Sequence, residues 1–419
     1  MSAATRHGLL FSVVIAAFGY FVDLYDIAIF GIVRVASLTD LGLTGADNTQ
    51  WGIHLFNLQM IGLLLGGLLW GVIGDRFGRR FALIATIACY SAANIANAFV
   101  TSIEQYAWLR FIAGVGLAGE LGAGVALVSE LLPRNRRGYG IVIISFLGMC
   151  GALAAAYVGG WFHWRTAYLV GGIGGLVVLA GRWWGLRESQ LFEANRGAAG
   201  QGDLRLLIQR PVLLRLLAVI AVGMPIWFVS GLLVGFAPEY GKVLGMNDPL
   251  RVANVAIWQS FGLAFGTVVS GFASEWLRSR KQVLGGCIAA VLLLVVVLLR
   301  QDTPATYCYV ILLVGVFQGY WTVYLAMAAE QFGTNIRATV STSVPNFVRG
   351  TTVPMTLAVG ALSAGMGWLA ATFVVGGVVF ALALAGLWTL RESFGRDLDF
   401  SETAGTAPAT PALPSEPGA

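Results

Sequence analysis

Charged residues are scarce in this chain: Asp, Glu, Lys and Arg make up 11% of its 419 residues, where soluble domains carry about 25%. That excludes an ordinary soluble protein. It also excludes a soluble core with one anchor, because the apolar residues, 57% of the chain at a mean hydropathy of +0.77, are spread along its whole length. Cysteine is sparse. Cys89, Cys150, Cys287 and Cys308 lie singly within apolar runs, without a disulfide framework or metal-ligand spacing. No phosphate-binding glycine loop, metal cluster or nucleophile constellation occurs, so neither an enzyme nor a cofactor or metal is expected. The net charge of +5 sits in loops between apolar runs, where membrane orientation accounts for it and no nucleic-acid partner is needed. The first apolar run is too long, and too acidic at its centre, for a signal peptide, and no small-residue cleavage site follows it.

What the chain has instead is long apolar runs. Twelve spans are predicted, near 9–33, 51–74, 81–100, 106–131, 139–162, 165–186, 212–236, 251–275, 283–300, 306–331, 338–363 and 367–390. Most approach or exceed the ~20 residues that cross a bilayer as a helix. The expectation is an all-α polytopic membrane protein with six-helix bundles at 1–186 and 212–400 and a polar linker at 187–211. The Pro-, Ala-, Ser- and Thr-rich tail at 401–419 is expected to be disordered.

Basic residues cluster in the loops of one side, among them Arg76, Arg79, Arg80, Arg134, Arg136, Arg137, Arg187, Arg278, Arg280, Lys281 and Arg337, while the other side holds Arg34, Arg165, Lys242, Arg251 and Arg300. Positive loops stay in the cytoplasm, which predicts both termini inside and residence in the inner (cytoplasmic) membrane. The halves also repeat. The segment from Gly71 to Arg80 is answered by that from Gly271 to Arg280, an offset of 200, and Glu130 ahead of Arg137 is answered by Glu330 ahead of Arg337 at the same offset. Arg187-Glu188-Ser189 after span 6 is answered by Arg391-Glu392-Ser393 after span 12. Two parallel six-helix halves with a site at their interface form a transporter architecture, which needs no second chain to complete a pathway, so a monomer is expected.

A few charges lie inside the spans. Asp23 and Asp26 are three apart in span 1 and share a helical face. Intramembrane carboxylates cost roughly 3 kcal/mol or more on insertion scales, which implies a protein-lined or wet interior. Arg110 in span 4 falls at a depth similar to that of Asp26, so the two can pair. An arginine neighbour favours the ionised carboxylate and desolvation the protonated one, and a switch between those environments loads and releases a proton. Asp23 and Glu120 lie deeper, where they extend a proton path or, for Glu120, make a static hydrogen bond. Span 11 carries Arg349, with Pro345, Gly350 and Pro354 interrupting the same helix. Broken backbone at that depth lines a cavity or is buried in protein. Arg349 reads either as an anchor for a substrate anion or as an ion pair with an acid of the other half, with Asn346 beside it. Asn57, Gln259, Gln318, Trp321 and Tyr324 are further cavity candidates, the last three on one face of span 10.

The segment from Gly71 to Arg80 resembles the loop 2–3 signature of the major facilitator superfamily, with Gly71, Asp75, Arg76, Gly78, Arg79 and Arg80 at its fixed positions. The segment from Arg110 to Gly116 is similar to the family's fourth-helix signature, and the pattern covers residues 9 to about 400. The resemblance implies the major facilitator fold and a conformational latch made by those loop residues with Glu130, Arg137, Glu330 and Arg337. Gly71 is expected to permit close packing and Gly78 a tight turn. Gly19, Asp23, Tyr25, Asp26, Phe30 and Gly31 resemble the first-helix pattern of metabolite:proton symporters, departing from it at Asp23, Leu24 and Ile27; sugar porters share the Tyr-Asp pair. Gly119-Glu120, Ser129-Glu130, Pro133 and Arg137-Gly138 match the symporters' fourth-helix pattern. What this implies is proton-coupled uptake of a small organic anion or zwitterion by alternating access. The alternatives are proton-driven efflux, weakened because Ala155-Ala156 stand where antiporters carry Gly-Pro, and a membrane sensor, which the short linker and tail disfavour.

Overall fold

The computed structural model describes residues 3–120, 137–185, 208–395 and 402. Glu130, most of the linker and all of the tail except Glu402 lie outside them, as do the side chains of Asp75, Arg79 and Arg137. The described residues form helices and no strand.

The first group comprises α1 (Ala3–Asp40), α2 (Gly45–Phe77), α3 (Arg79–Asn97), α4 (Ile103–Leu117), α5 (Arg137–Trp161) and α6 (Trp164–Gly185). The second comprises α7 (Arg210–Trp227), α8 (Ala237–Val243), α9 (Val252–Trp276), α10 (Arg280–Leu298), α11 (Pro304–Gln318), α12 (Trp321–Glu330), α13 (Thr334–Gly350), α14 (Thr352–Met366) and α15 (Trp368–Thr389). Among the described residues, seven helical stretches are long and apolar enough to cross a membrane: Gly45–Gly74, Trp164–Gly185, Arg210–Val234, Val252–Trp276, Arg280–Leu298, Pro304–Glu330 and Trp368–Thr389. Helix α1 is longer than the expected 9–33: its 38 residues reach about 57 Å at 1.5 Å per residue.

Three departures from continuous spans matter for the site. Span 7 passes from α7 into a π-helical segment, Phe228–Val234, just after Pro225 has withdrawn one N–H from the helical ladder. Span 10 breaks at Gly319-Tyr320, so Gln318 ends α11 while Trp321 and Tyr324 belong to α12; the three do not form one face of an unbroken helix. Span 11 breaks at Thr351 rather than at Pro345, which lies inside α13. Pro354 sits in the first turn of α14, where its missing N–H has no helical partner to lose.

Within the first group α1 packs on α5 and α6, α2 on α4, and α3 on α4 and α6; within the second α7 packs on α15, α9 on α11, and α14 on α15. The halves meet where α2 lies on α13 and α14 and where α5 lies on α9. In span order that is 2 against 11 and 5 against 8, an exchange expected of two repeats related by a pseudo-two-fold axis.

The repeat is deepest at two helix crossings. A Cβ at Gly62 or Gly66 of α2 would strike the Phe111 or Val115 carbonyl of α4, and one at Gly114 would strike the Gln59 carbonyl. In the other half, a Cβ at Gly262 or Gly266 of α9 would strike the Leu312 or Val316 carbonyl of α11, and one at Gly315 the Gln259 carbonyl. Small residues let helix backbones touch where apolar surface alone supplies no drive to associate. By contrast, a Cβ at Gly71 would meet no atom of the described residues within 4 Å, so the close packing expected there is not seen among them. Gly78 takes φ 104° between α2 and α3, a conformation that a β-carbon disfavours.

The end of α15 is tied to the start of α10 through Glu392. Its carboxylate accepts from the Ser279 hydroxyl, from the Arg280 N–H at 2.9 Å, from the Lys281 N–H at 3.1 Å and from the Phe394 N–H at 3.1 Å. Partial burial pushes this carboxyl up, but those hydrogen bonds outweigh it and hold it down at about 2, from an ordinary 4.5.

Two expectations follow. Gly262→Ala should destabilise the detergent-solubilised protein by about 1–3 kcal/mol through overpacking against a backbone that cannot turn aside. Gly377→Ala, where no atom lies within 4 Å of the added carbon, should change little; equal unfolding temperatures for the two variants would contradict the crossing. Because Glu392 is depressed in the folded state, its stabilisation is complete above its ordinary value of 4.5 and is lost as the pH falls toward about 2. Thermal unfolding of wild type and Glu392→Gln between pH 3 and 7 should therefore differ most above pH 4.5 and converge at the acid end.

Candidate functional site

Among the described residues, three fully buried acid–arginine pairs lie along or against α1, and a fourth buried arginine, Arg34, pairs with the partly exposed Glu239. Asp23 and Asp26 lie one turn apart on α1, and both are fully buried.

Asp26 Oδ2 lies 3.8 Å from Arg110 Nη1 of α4 and 3.5 Å from Gln59 Nε2 of α2. Arg110 is set by its other contacts: Nη2 donates to Asn94 Oδ1 of α3 at 2.6 Å, and the guanidinium lies 4.7 Å from the Tyr168 ring centre of α6. The Tyr168 hydroxyl is 2.6 Å from that of Tyr106, which is 3.2 Å from Ser37. Tyr25 donates to the Ala167 carbonyl at 2.8 Å and fixes α1 on α6. Asp26 Oδ1 and Arg110 Nε are buried without a partner among the described residues.

Glu120 forms the tightest pair. Its Oε1 accepts from Arg182 Nη1 at 2.8 Å and Thr86 Oγ1 at 2.7 Å, and its Oε2 accepts from Arg182 Nη2 at 2.7 Å. Arg182 Nη1 also donates to the Leu83 carbonyl at 2.8 Å. Gly19 of α1 is what admits this pair, since a Cβ there would fall on the Arg182 guanidinium and 2.6 Å from Glu120 Oε2. Both carboxylate oxygens of Glu120 are thus engaged, and Arg182 Nε alone of the pair lacks a partner among the described residues.

Asp23 pairs across the halves. Its Oδ2 lies 3.4 Å from Arg349 Nη2 of α13, and the Arg349 guanidinium lies 5.7 Å from the Trp227 ring centre at the end of α7. Asp23 Oδ1 and Arg349 Nε and Nη1 are buried without a partner among the described residues. Asn346 donates to the Ala118 carbonyl at 2.7 Å, across the same boundary, and its Oδ1 is likewise unpartnered. Asn57 accepts from Thr356 at 2.7 Å, a third tie between halves. A fourth is carried by one nitrogen: Arg34 Nη2 donates to Glu239 Oε1 and Oε2 at 2.7 and 2.8 Å, beneath Phe236, while Nε and Nη1 have no partner among the described residues.

The other cavity candidates are committed within the second half. Gln259 donates to Ser230 at 2.8 Å and to Gln318 at 2.7 Å, and Gln318 donates to the Ile226 carbonyl at 3.1 Å. Tyr324 donates to the Val219 carbonyl at 3.1 Å, and Trp321 stacks on it with ring centres 5.2 Å apart. The loop residues are spread over the end of the bundle that carries Gly78. Arg76 is exposed, Arg80 donates to the Trp183 carbonyl at 2.9 Å, and Arg337 donates to the Ala329 and Phe332 carbonyls at 3.2 and 3.1 Å. Glu330 accepts from Ser393 at 2.6 Å and lies 3.6 Å from Arg280.

Sequence reasoning passed over Arg182, Asn94, Gln59, Arg34 and Glu239. Arg182 carried a signal, a charge inside a 22-residue apolar helix, but its place near the helix end resembles that of a snorkelling residue. Arg34 was expected on a loop; it is buried because α1 runs on to Asp40 and Gly52 leaves room for its guanidinium.

Glu120→Ala should strand Arg182 as a buried, uncompensated charge and lower stability by about 3–5 kcal/mol, whereas Glu120→Leu with Arg182→Met should recover most of the loss. Thermal unfolding of the three proteins in one detergent decides this, and a single-variant cost under about 1 kcal/mol would mean that the pair is solvated.

The profile of the Major Facilitator Superfamily matches residues 16–350. The chain is similar to the putative niacin/nicotinamide transporter NiaP of Bacillus subtilis, 27% identical over 84% of this chain and 88% of that one. It is 34% identical to the niacin transporter NiaP of Acinetobacter baylyi over a shorter stretch, 39% of this chain and 37% of that one. Among solved structures it resembles a D-xylose–proton symporter, with a TM-score of 0.70 at 19% identity over 93% of this chain and all of that one; identity that low speaks for the fold alone. With the profile spanning most of its length and its helices exchanging partners between halves as they do, this chain belongs to the major facilitator superfamily: it is a multi-pass membrane protein that transports a small molecule.

Proposed function

We propose that the protein imports a small organic anion together with protons. The observation that carries this reading is Arg349, 2% exposed, with Nε and Nη1 unpartnered at the boundary between the halves. A buried guanidinium with idle donors is costly unless an acceptor visits it, and its planar fork suits a carboxylate. Asn346 Oδ1, idle beside it, adds an acceptor for a solute hydroxyl or amine. Gln259, Gln318 and Tyr324 support the wall rather than face the solute, since their polar groups are taken. The name of the Acinetobacter baylyi relative agrees with an aromatic carboxylate of the size of niacin, and that of the Bacillus subtilis relative gives niacin together with the neutral nicotinamide.

Protons are assigned to the Asp26–Arg110 pair, which has loose geometry and one idle carboxylate oxygen. Loss of the arginine contact as the helices shift leaves a buried carboxylate that is better off protonated, and its return releases the proton. The charged loops at the Gly78 end act as a latch between conformations. The Arg-rich loops support a cytoplasmic placement of that end, and with it both termini, in the inner membrane. The test is uptake into proteoliposomes of organic acids, their amides, amino acids and sugars, with and without an inward proton gradient. Gradient-driven uptake confined to neutral solutes would refute the reading.

Asp26→Asn mimics the protonated acid and cannot release a proton. Accumulation driven by the gradient should vanish, while exchange across preloaded vesicles should persist, because exchange needs solute-bound rocking and no proton turnover. Both are measured in one reconstituted sample across pH 5 to 9. Uphill accumulation by this variant would move the coupling role elsewhere, and parallel loss of both activities would point to misfolding.

A further inference from the structure

Two of the buried pairs contain the same groups in different states of completion. Glu120 and Arg182 meet through two hydrogen bonds of 2.7 and 2.8 Å, Thr86 and the Leu83 carbonyl absorb further capacity, and Arg182 Nε alone is left idle among the described residues. Asp23 and Arg349 meet through one contact of 3.4 Å and leave Oδ1, Nε and Nη1 idle. Charge-assisted hydrogen bonds of this kind are normally about 2.7–2.9 Å. Both pairs are fully buried, so water does not account for the difference. Position does: every partner of Glu120 lies in the first half, whereas Asp23 and Arg349 face each other across the boundary that alternating access must open.

We propose that the solute's carboxylate takes Arg349 from Asp23, and that Asp23, left without its cation, takes up a proton in the same step. This rests on the reading of an anionic solute. The site begins with a carboxylate and a guanidinium, net neutral. It ends with a neutral acid and a guanidinium holding the solute carboxylate, net neutral again; the added proton comes from solution, and no covalent bond to carbon changes. Either event alone leaves a buried charge without compensation, an anion at Asp23 or a cation at Arg349, and such a charge is not tolerated. Binding of proton and solute is therefore linked at the anchor itself, in addition to the proton assigned to Asp26.

The other groups around Asp23 favour this outcome. Tyr20 and Asp26 share its helix, Glu120 approaches from beyond α4 and Tyr90 from α3. Glu120 is already neutralised by Arg182, and Asp26 faces Arg110. Arg349 is thus the cation that forms the ion pair with Asp23. Asp23 is a resident stand-in for the solute anion, which keeps Arg349 compensated when the site is empty.

The experiment uses the purified full-length protein in weakly buffered detergent with a pH indicator. The probes are benzoate, nicotinate and 4-hydroxybenzoate, each beside its neutral amide. Near pH 7.5, wild type should take up about one proton per carboxylate bound, and none with an amide. Asp23→Asn, an isosteric change, should bind the carboxylate without proton uptake and with an affinity that no longer falls as the pH rises, about tenfold tighter than wild type at pH 8. Carboxylate binding by wild type without proton uptake overturns the proposal, and this arm depends on no variant folding. It is also overturned if Asp23→Asn takes up protons as wild type does, if the uptake is lost in Asp26→Asn and kept in Asp23→Asn, or if no probe binds to either protein. Arg349→Ala separates the two failures. Carboxylate binding unaffected by that change removes the anchor and the exchange together. Binding abolished by it, with proton uptake indifferent to Asp23, removes the exchange and leaves the anchor standing.

Discussion

A carboxylate buried among apolar helices needs a cation, a proton or water, and this constraint organises the first half of the bundle. Asp23, Asp26 and Glu120 lie along one helix and the groups packed on it, all buried, and each faces an arginine on a different helix. The pairs therefore do more than neutralise charge. Arg182 holds α6 to the end of α4 and the start of α3, Arg110 holds α4 to α3, and Arg349 reaches from the other half to α1. Removing one partner of such a pair leaves an uncompensated buried charge, so each arginine fixes where its helix can sit. A pair that is fully hydrogen-bonded is a rivet. A pair with idle atoms is a joint, because a competing ligand or a proton can take the place of one member at little cost.

Steric constraint complements the electrostatic one. The glycines at the crossings of α2 with α4 and α9 with α11 let backbones touch, which makes each crossing rigid and leaves motion to the boundary between halves. That boundary carries polar ties at separate depths: Arg34 with Glu239, Asn57 with Thr356, Asp23 with Arg349, and Asn346 with the Ala118 carbonyl. The Arg34–Glu239 pair closes the end of the bundle where α1 turns into α2. For the halves to rock apart there, this ion pair must be exchanged for hydration of both charges. Glu239 keeps some exposure to solvent, whereas Asp23 and Arg349 are buried; on the proposed reading the first tie yields to solvent and the second to a solute.

Much of the fold was legible because its signals are one-dimensional. Apolar runs of about 20 residues announce helices, and the offset of 200 between halves appears in the loops and, in retrospect, in Gln59 and Gln259, Gly62 and Gly262, Gly66 and Gly266. The breaks at Gly319 and Thr351, the π-helical segment after Pro225 and the short α8 were not legible, because they depend on which carbonyls remain free once neighbours have packed. In the site, Asp23, Asp26, Arg110 and Arg349 stood out since charge inside an apolar run is conspicuous. Arg34 and Glu239 did not, lying where a loop was expected. Arg182 shows the limit most plainly. An arginine near a span end is ordinary until Glu120, Thr86 and the gap at Gly19 are seen to converge on it.

Taken together, the three pairs grade from closed to open. Glu120 is saturated, Asp26 keeps one idle oxygen inside its own half, and Asp23 keeps one idle oxygen facing the other half. A transporter that couples two ligands needs both a fixed frame and groups whose protonation changes as that frame moves. On the proposed mechanism the same chemical pair serves both needs, and what separates the uses is the number of hydrogen bonds supplied by surrounding residues. Thr86 and the Leu83 carbonyl add to the first pair and leave Arg182 Nε as its one idle atom among the described residues, whereas the idle donors of Arg349 are what a solute carboxylate would engage on the proposed mechanism. On the proposed mechanism, completion by the protein gives structure, and completion by the solute gives transport.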